Sequence, residues 1–252
     1  MLRQRYLDLH LYNNMGRAFE FRKARKMKRW SNMSKTFTRI GREIIIAVKE
    51  SGPDPSSNSR LRAIIQNAKA ANMPKDNIER AIKKASEKSS ENFKEVLLEG
   101  YAPHGIAILV EAATDNNNRT VANIRSYFNK CDGSLATSGS VDFLFDHLCF
   151  FQIKDQGIDI EELELDLIDF GVIELSKLEN EISITARFED FGSIQKELEI
   201  RGLEISSSEF EREAKINKTL TEDERLKVER LINMIDEDED VQNVYHDMKT
   251  IN

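Results

Sequence analysis

Cysteine is nearly missing from this chain: Cys131 and Cys149 are the only two in 252 residues. Two thiols exclude a disulfide framework and point to a reducing compartment. Histidine is also scarce, and His10, His104, His147 and His246 are scattered without metal-ligand spacing. No apolar run approaches the ~20 residues that cross a bilayer, and no charged n-region precedes an apolar h-region. The expected protein is therefore soluble, cytoplasmic and without a membrane role. Phosphate-cradling GxxxxGK[ST] and GxGxxG loops are missing, as is the GxSxG nucleophile elbow. An enzyme is not expected, nor is a cofactor or a bound metal.

Charge is abundant and unevenly placed. Residues 1–90 hold 21 Lys/Arg against 8 Asp/Glu, net +13, whereas the rest holds 16 against 36, net −20. The overall net charge of −7 thus conceals a basic module joined to an acidic one. The cations peak in Met15–Glu50, with eleven Lys/Arg against three acids. Within it Arg22, Lys23, Arg25, Lys26, Lys28 and Arg29 form an arm flanked by Phe21 and Trp30. Cations beside flat apolar rings suit phosphates outside and bases or grooves alongside. Residues 1–14, MLRQRYLDLHLYNN, are expected to be a disordered extension, with Met15 as an alternative native initiator. They lack the serines of a transit peptide, and Asp8 interrupts them.

A helix over Ser34–Glu50 would gather Phe37, Ile40, Ile44, Ala47 and Val48 within an arc of about 100°. Lys35, Arg39, Arg42 and Lys49 would fall opposite, within about 80° of one another. Alone, that stripe reads as an ordinary solvated face; the cationic arm upstream favours a phosphate-binding one. SGPDPSSNS ends this helix and supplies a cap at Asn58 or Ser59. Arg60–Ala71 is a second helix. Pro74 opens a third, with Ile78, Ala81, Ile82 and Ala85 inward and Lys75, Arg80, Lys83 and Lys84 on its other faces.

After a polar linker at Ser86–Asn92 the period changes to two. Phe93–Tyr101 and Ile106–Ala113 read as strands around the turn Ala102–Gly105. Asp115–Asn118 caps a helix ending near Gly133, and Val141–Phe145 reads as a further strand. Leu148–Arg212 follows the order βαββαβ, the split pattern of ferredoxin-like domains. Thr221–Glu224 is a capping box, opening a helix before a terminal strand at Val241–Tyr245. That last αβ pair has no sheet of its own and is expected to complete the ββα of residues 93–133. The expected class is α+β: an N-terminal three-helix domain followed by two α/β (ferredoxin-like) domains, one inserted in the other. The boundaries are a basic helical domain at 15–90, an α/β domain at 91–146 plus 213–252, and an inserted ferredoxin-like domain at 147–212.

Four stretches carry a resemblance: DPSSNSRLRAIIQNAKAANMPKDNIERAIKK (54–84), EGYAPHGIAILVEAATDNNNRTVANIRSYFNK (99–130), GSLATSGSVDFLF (133–145) and DEDVQNVYHDM (238–248). They resemble the YebC-like family from about Met15 to the C-terminus, most specifically over Asn72–Lys84. The resemblance implies a helical N-terminal domain and two α/β domains around a cleft. It also implies a role like that of bacterial probable transcriptional regulatory proteins, or of the mitochondrial translational activator of cytochrome c oxidase. The common Gly-His-Ser-Lys-Trp opening is replaced here by MGRAFEFRKARKMKRW, so contacts made by that opening do not transfer. A Pro-Gly-Gly turn has become Pro103-His104-Gly105, and a Gly-Gly pair has become Asp132-Gly133.

These readings converge on a non-enzymatic nucleic-acid-binding regulator of DNA-binding, transcription-regulating type. Arg22, Lys23, Arg25, Lys26, Lys28 and Arg29 would contact phosphates, with Trp30 stacking. Lys35, Arg39 and Arg42 would fix orientation, assisted by Lys75, Arg80, Lys83 and Lys84. The alternatives are a translation activator bound to ribosomal RNA on the ribosome, and a scaffold holding other proteins through its acidic α/β domains. Asp115, Asn117 and Arg119 form a polar cluster that reads best as a helix cap. The acidic runs at 161–169 and 236–240 read as exposed helix faces and a turn, and His104 as ordinary surface.

Overall fold

The computed structural model describes residues 33–87, 92–178 and 180–249. The arm at 22–30 and the extension at 1–14 lie outside the described residues. Among the described residues three helices come first: α1 (Met33–Ser51), α2 (Ser59–Ala70) and α3 (Lys75–Ser86). Asn58 caps α2, its side chain accepting from Leu61 N at 2.9 Å and donating to Ala47 O at 2.8 Å. One asparagine thus stops the first helix and starts the second. The shared core is Ile40, Ile44, Ala47, Val48, Leu61, Ile64, Ala68 and Ile78. Each Ile, Leu or Val among them stabilises by about 1.5–3 kcal/mol when fully buried.

Strands β1 (Lys94–Tyr101) and β2 (Ala107–Thr114) form an antiparallel pair, followed by α4 (Asn117–Lys130) and the short β3 (Ser134–Leu135). Their sheet has the order β3-β1-β2-β8, where β8 is Val241–His246. Helix α7 (Glu222–Asp236) leads into β8 and opens on the capping box Thr221–Glu224. It packs with α4 over Ile108, Val110, Ile124, Phe128, Val228 and Leu231. The C-terminal αβ pair therefore belongs to the sheet of the first ββα unit.

Between them run β4 (Phe145–Lys154), α5 (Ile160–Leu167), β5 (Val172–Leu178), β6 (Glu181–Arg187), α6 (Phe191–Ile200) and β7 (Ile205–Ala214). The sheet order is β5-β6-β4-β7 with every pair antiparallel, the ferredoxin-like arrangement. Phe145 pairs with Ala214, and Lys215 N donates to Leu144 O at 3.0 Å. The inserted unit begins and ends on neighbouring strands. The fold class is as expected, but Val141–Phe145 is not a strand: Asp142–Leu144 forms a 3₁₀ turn that buries Val141, and β4 starts at Phe145.

His104 and Asp132, which stand where the resemblance implies glycine, both have left-handed backbone. His104 has φ 62° and Asp132 φ 55°. His and Asp are among the side chains that tolerate this region best, so the turns form without glycine at these positions.

Candidate nucleic-acid interface

Lys35, Arg39 and Arg42 leave one side of α1, as their spacing dictates. That side is covered. Lys35 Nζ donates to Asp236 O and lies 3.8 Å from Asp236 Oδ2. Arg39, only 6% exposed, donates from Nε to Val241 O at 3.0 Å and from Nη2 to Asp236 Oδ1 at 2.9 Å. Arg42 Nη1 donates to Ala113 O and Asp240 Oδ1, both at 3.2 Å, and to Glu239 O. Three of the four cations of the expected outward stripe thus form an internal seam, with the expected exposed acidic turn at 236–240 as its partner, while Lys49 stays exposed. The physical reason lies in Ile44–Val48, five consecutive apolar residues that are all buried. A helix apolar on more than one side is clasped from more than one direction. The helical unit supplies one cover and the first sheet the other.

Asp240 is the node of the seam. Its side chain is 5% exposed and accepts from Arg119 Nη2 at 2.8 Å, Thr120 Oγ1 at 2.7 Å and Thr114 Oγ1 at 3.2 Å, besides Arg42. Burial pushes the Asp240 carboxyl up, but the hydrogen bonds from Arg119 and Thr120 and the charges of Arg119 and Arg42 outweigh it. The net shift is downward. Asn116 caps α4 by accepting from Arg119 N at 3.1 Å, while Arg119 also reaches Asp115 at 2.8 Å. The Asp115–Arg119 cluster is therefore a helix cap joined to the seam. His104 Nδ1 stands 3.4 Å from Glu224 Oε1.

The third helix keeps its cations outside. Ile78 and Ala85 are buried, whereas Lys75, Arg80, Lys83 and Lys84 are exposed. Lys75 has Glu79 at 3.3 Å, with both side chains well solvated, a pair of small energetic weight. Of the cations expected to meet phosphate, the four on α3 face solvent and the three on α1 face the protein. Arg22, Lys23, Arg25, Lys26, Lys28, Arg29 and Trp30 lie outside the described residues.

The helical unit also docks on the inserted one. Asn67 on α2 donates to Ser208 O and accepts from Ser208 N at 3.1 Å, extending the backbone pattern of edge strand β7. Arg62 holds Glu199 with contacts of 2.9 and 3.3 Å. Where the three units meet, a cleft of about 510 Å³ opens between α1, α2, the end of β2, β8 and β7.

Glu111 and Arg212 cross its floor at 3.0 Å, and Arg212 also holds Asp142 at 2.6 Å. His147 stacks on Phe188 with ring centroids 3.8 Å apart. Burial, and then the neighbouring Arg212 charge, hold the His147 imidazole below its ordinary pKa. None of these residues stands out from sequence as a site residue. Glu111 carried a usable signal, since it is the lone charge inside the buried strand AILVEAAT. Cys149 is buried, and burial pushes its thiol up to about 12, so it presents no thiolate at neutral pH. Among the described residues no group of three or more His, Cys, Asp or Glu is placed to hold a metal ion.

Two family models match the chain. One, described as the TACO1/YebC protein N-terminal domain, covers residues 17–88. The other, described as the TACO1/YebC second and third domain, covers residues 93–248. A protein of Flavobacterium johnsoniae called "Probable transcriptional regulatory protein" is 68% identical over 235 residues, covering 93% of this chain and 99% of its own. One of the same description from Porphyromonas gingivalis is 58% identical over 236 residues, covering 93% and 98%. The crystal structure of a conserved hypothetical protein from Aquifex aeolicus superposes with a TM-score of 0.70 at 37% identity, over 86% of this chain and 90% of that one. With both models matched and relatives this similar, the chain belongs to the TACO1/YebC family.

Proposed function

We propose that this protein is a non-enzymatic, cytoplasmic regulator that binds nucleic acid through its basic N-terminal third, with double-stranded DNA as the ligand. The observation that carries the reading is the outward basic face of α3, Lys75, Arg80, Lys83 and Lys84, in a unit of net charge +13 joined to a remainder of net −20. The arm from Arg22 to Arg29 adds phosphate contacts and Trp30 a stacking face. Lys35, Arg39 and Arg42 are assigned to holding the units together and not to phosphate. The regulatory names of the relatives support the same reading. Buried, unpaired Cys131 and Cys149 fit a reducing compartment.

Ribosomal RNA is the second reading. Among the exposed cations of α3 the one amide side chain is the half-buried Asn77, which favours backbone and shape over base-edge recognition. Binding to duplex DNA across a salt series tests the first reading. With roughly five phosphates neutralised, log K falls against log[salt] with a slope of about −4 to −5. A slope near zero removes the electrostatic mechanism. Co-sedimentation with ribosomes that is lost after RNase treatment, with no duplex binding, replaces DNA by RNA.

A further inference from the structure

The cleft where the three units meet is more than a gap between domains. The pairing of β2 with β8 slips at Glu111/Ala112, whose partners are Asn243 and Val241, so Gln242 is the extra residue of a bulge. Bulges re-aim side chains and are frequent beside binding sites. Gln242 lines the cleft, is 6% exposed, and finds no protein partner among the described residues for either Nε2 or Oε1. A buried amide with neither end paired lowers stability unless something else pairs with it.

Also on the cleft lining, Phe188 and Phe191 both meet Phe210 edge to face, with centroids 5.0 and 4.7 Å apart. The guanidinium groups at the cleft are already engaged: Arg39 by Asp236, Arg60 by Glu50 and Glu95, Arg212 by Glu111 and Asp142. Carboxylates outnumber them, since Glu43, Glu95, Glu111 and Glu209 all line the space. Among the described residues, phosphate or carboxylate has no uncommitted cation to meet there. An apolar side chain has an aromatic wall, and an amide has Gln242.

We infer that the cleft binds an extended, uncharged or basic peptide segment of a partner protein, placing an apolar side chain against the Phe188–Phe210 wall and a backbone amide on Gln242. A volume of about 510 Å³ lies within the usual range for pockets that enclose small ligands or short segments. This site does not depend on the phosphate-binding reading.

The test is a titration of the isotopically labelled full chain with N-acetyl-phenylalaninamide, followed by NMR, with adenosine monophosphate in parallel. The amide should give saturable shifts at Phe210, Asn243 and the Gln242 side chain, and the nucleotide none. Gln242→Leu should weaken the amide about tenfold while melting no lower than the parent. Ala70→Phe, from a half-buried position at the rim, should block it and decides the matter if the first variant does not fold. Lys83→Glu should leave it unchanged, which separates this site from the α3 face. Lack of saturation by about 20 mM, undiminished binding to both cleft variants, or saturable nucleotide binding at the same residues would each overturn the inference.

Discussion

Arg39 and Asp236 stand 197 positions apart in the chain, yet Nη2 and Oδ1 meet at 2.9 Å. With Arg39 Nε on Val241 O, this contact fastens α1 to the turn between α7 and β8. A cation drawn from the most basic stretch of the sequence thus serves the protein's own cohesion.

Two substitutions should therefore have opposite signatures. Arg39→Ala leaves a buried carbonyl unpaired and should lower stability by about 1–3 kcal/mol in denaturant unfolding. Affinity of its folded fraction for duplex DNA should change little. The triple charge reversal of Lys75, Arg80 and Lys83 should leave the unfolding midpoint nearly unchanged and flatten the salt slope by about 0.9 for each phosphate no longer neutralised. Gel-shift or anisotropy measurements across a salt series separate them.

Acid should weaken the seam. The folded pKa of Asp240 is depressed, so its stabilisation is complete above the unfolded carboxylate value of about 3.9 and is lost as pH falls through the folded value. Glu99 behaves alike: burial pushes it up, but hydrogen bonds from Val141, Gly139 and Asp142 backbone N–H groups carry it below its ordinary value. Asp240→Asn should be less stable than the parent by about 1–3 kcal/mol at neutral pH. The gap should narrow as the pH drops below about 4, followed by urea unfolding at stepped pH.

Arg212 lies between Glu111 of one sheet and His147 of the other. Because its charge helps hold the His147 pKa down, Arg212→Ala should raise that pKa toward the ordinary 6.5, visible in the imidazole proton shifts during an NMR titration. The same variant frees Glu111 from its ion pair and should speed amide exchange along β7.

At Asp132 the φ of 55° asks for a residue without a Cβ. Asp132→Gly should stabilise by up to about 1 kcal/mol, seen as a higher melting temperature. Gly100→Ala should do the reverse. A Cβ there would lie 2.7 Å from both the Phe128 ring and Ser134 O, an overpacking that costs about 1–3 kcal/mol.

Much of the architecture is legible in local pattern. The capping box at Thr221–Glu224, the alternation through Ile182, Ile184 and Ala186, and the switch from helical to strand period after α3 each announce their element because short-range chemistry determines them. The fate of Arg39 and Arg42 is not local. Helical spacing says they share a face with Lys35, but only the arrival of residues 236–241 from the far end of the chain says what that face meets. The run Ile44–Val48 was the available hint, being too apolar for a helix buried on one side alone. A cleft was implied by the resemblance, but its lining was hidden for the same reason, since Gln242, Arg212 and Phe188 come from three separate strand ends.

The pairing of Phe145 with Ala214 carries one last consequence. The chain leaves its host sheet and returns to it through a single doorway, with Leu144 and Lys215 already bonded across the sill. The guest sheet thus hangs from the host at one hinge of backbone, and what sets its attitude beyond that hinge is the side-chain contacts of Asn67 with Ser208 and of Arg212 with Glu111.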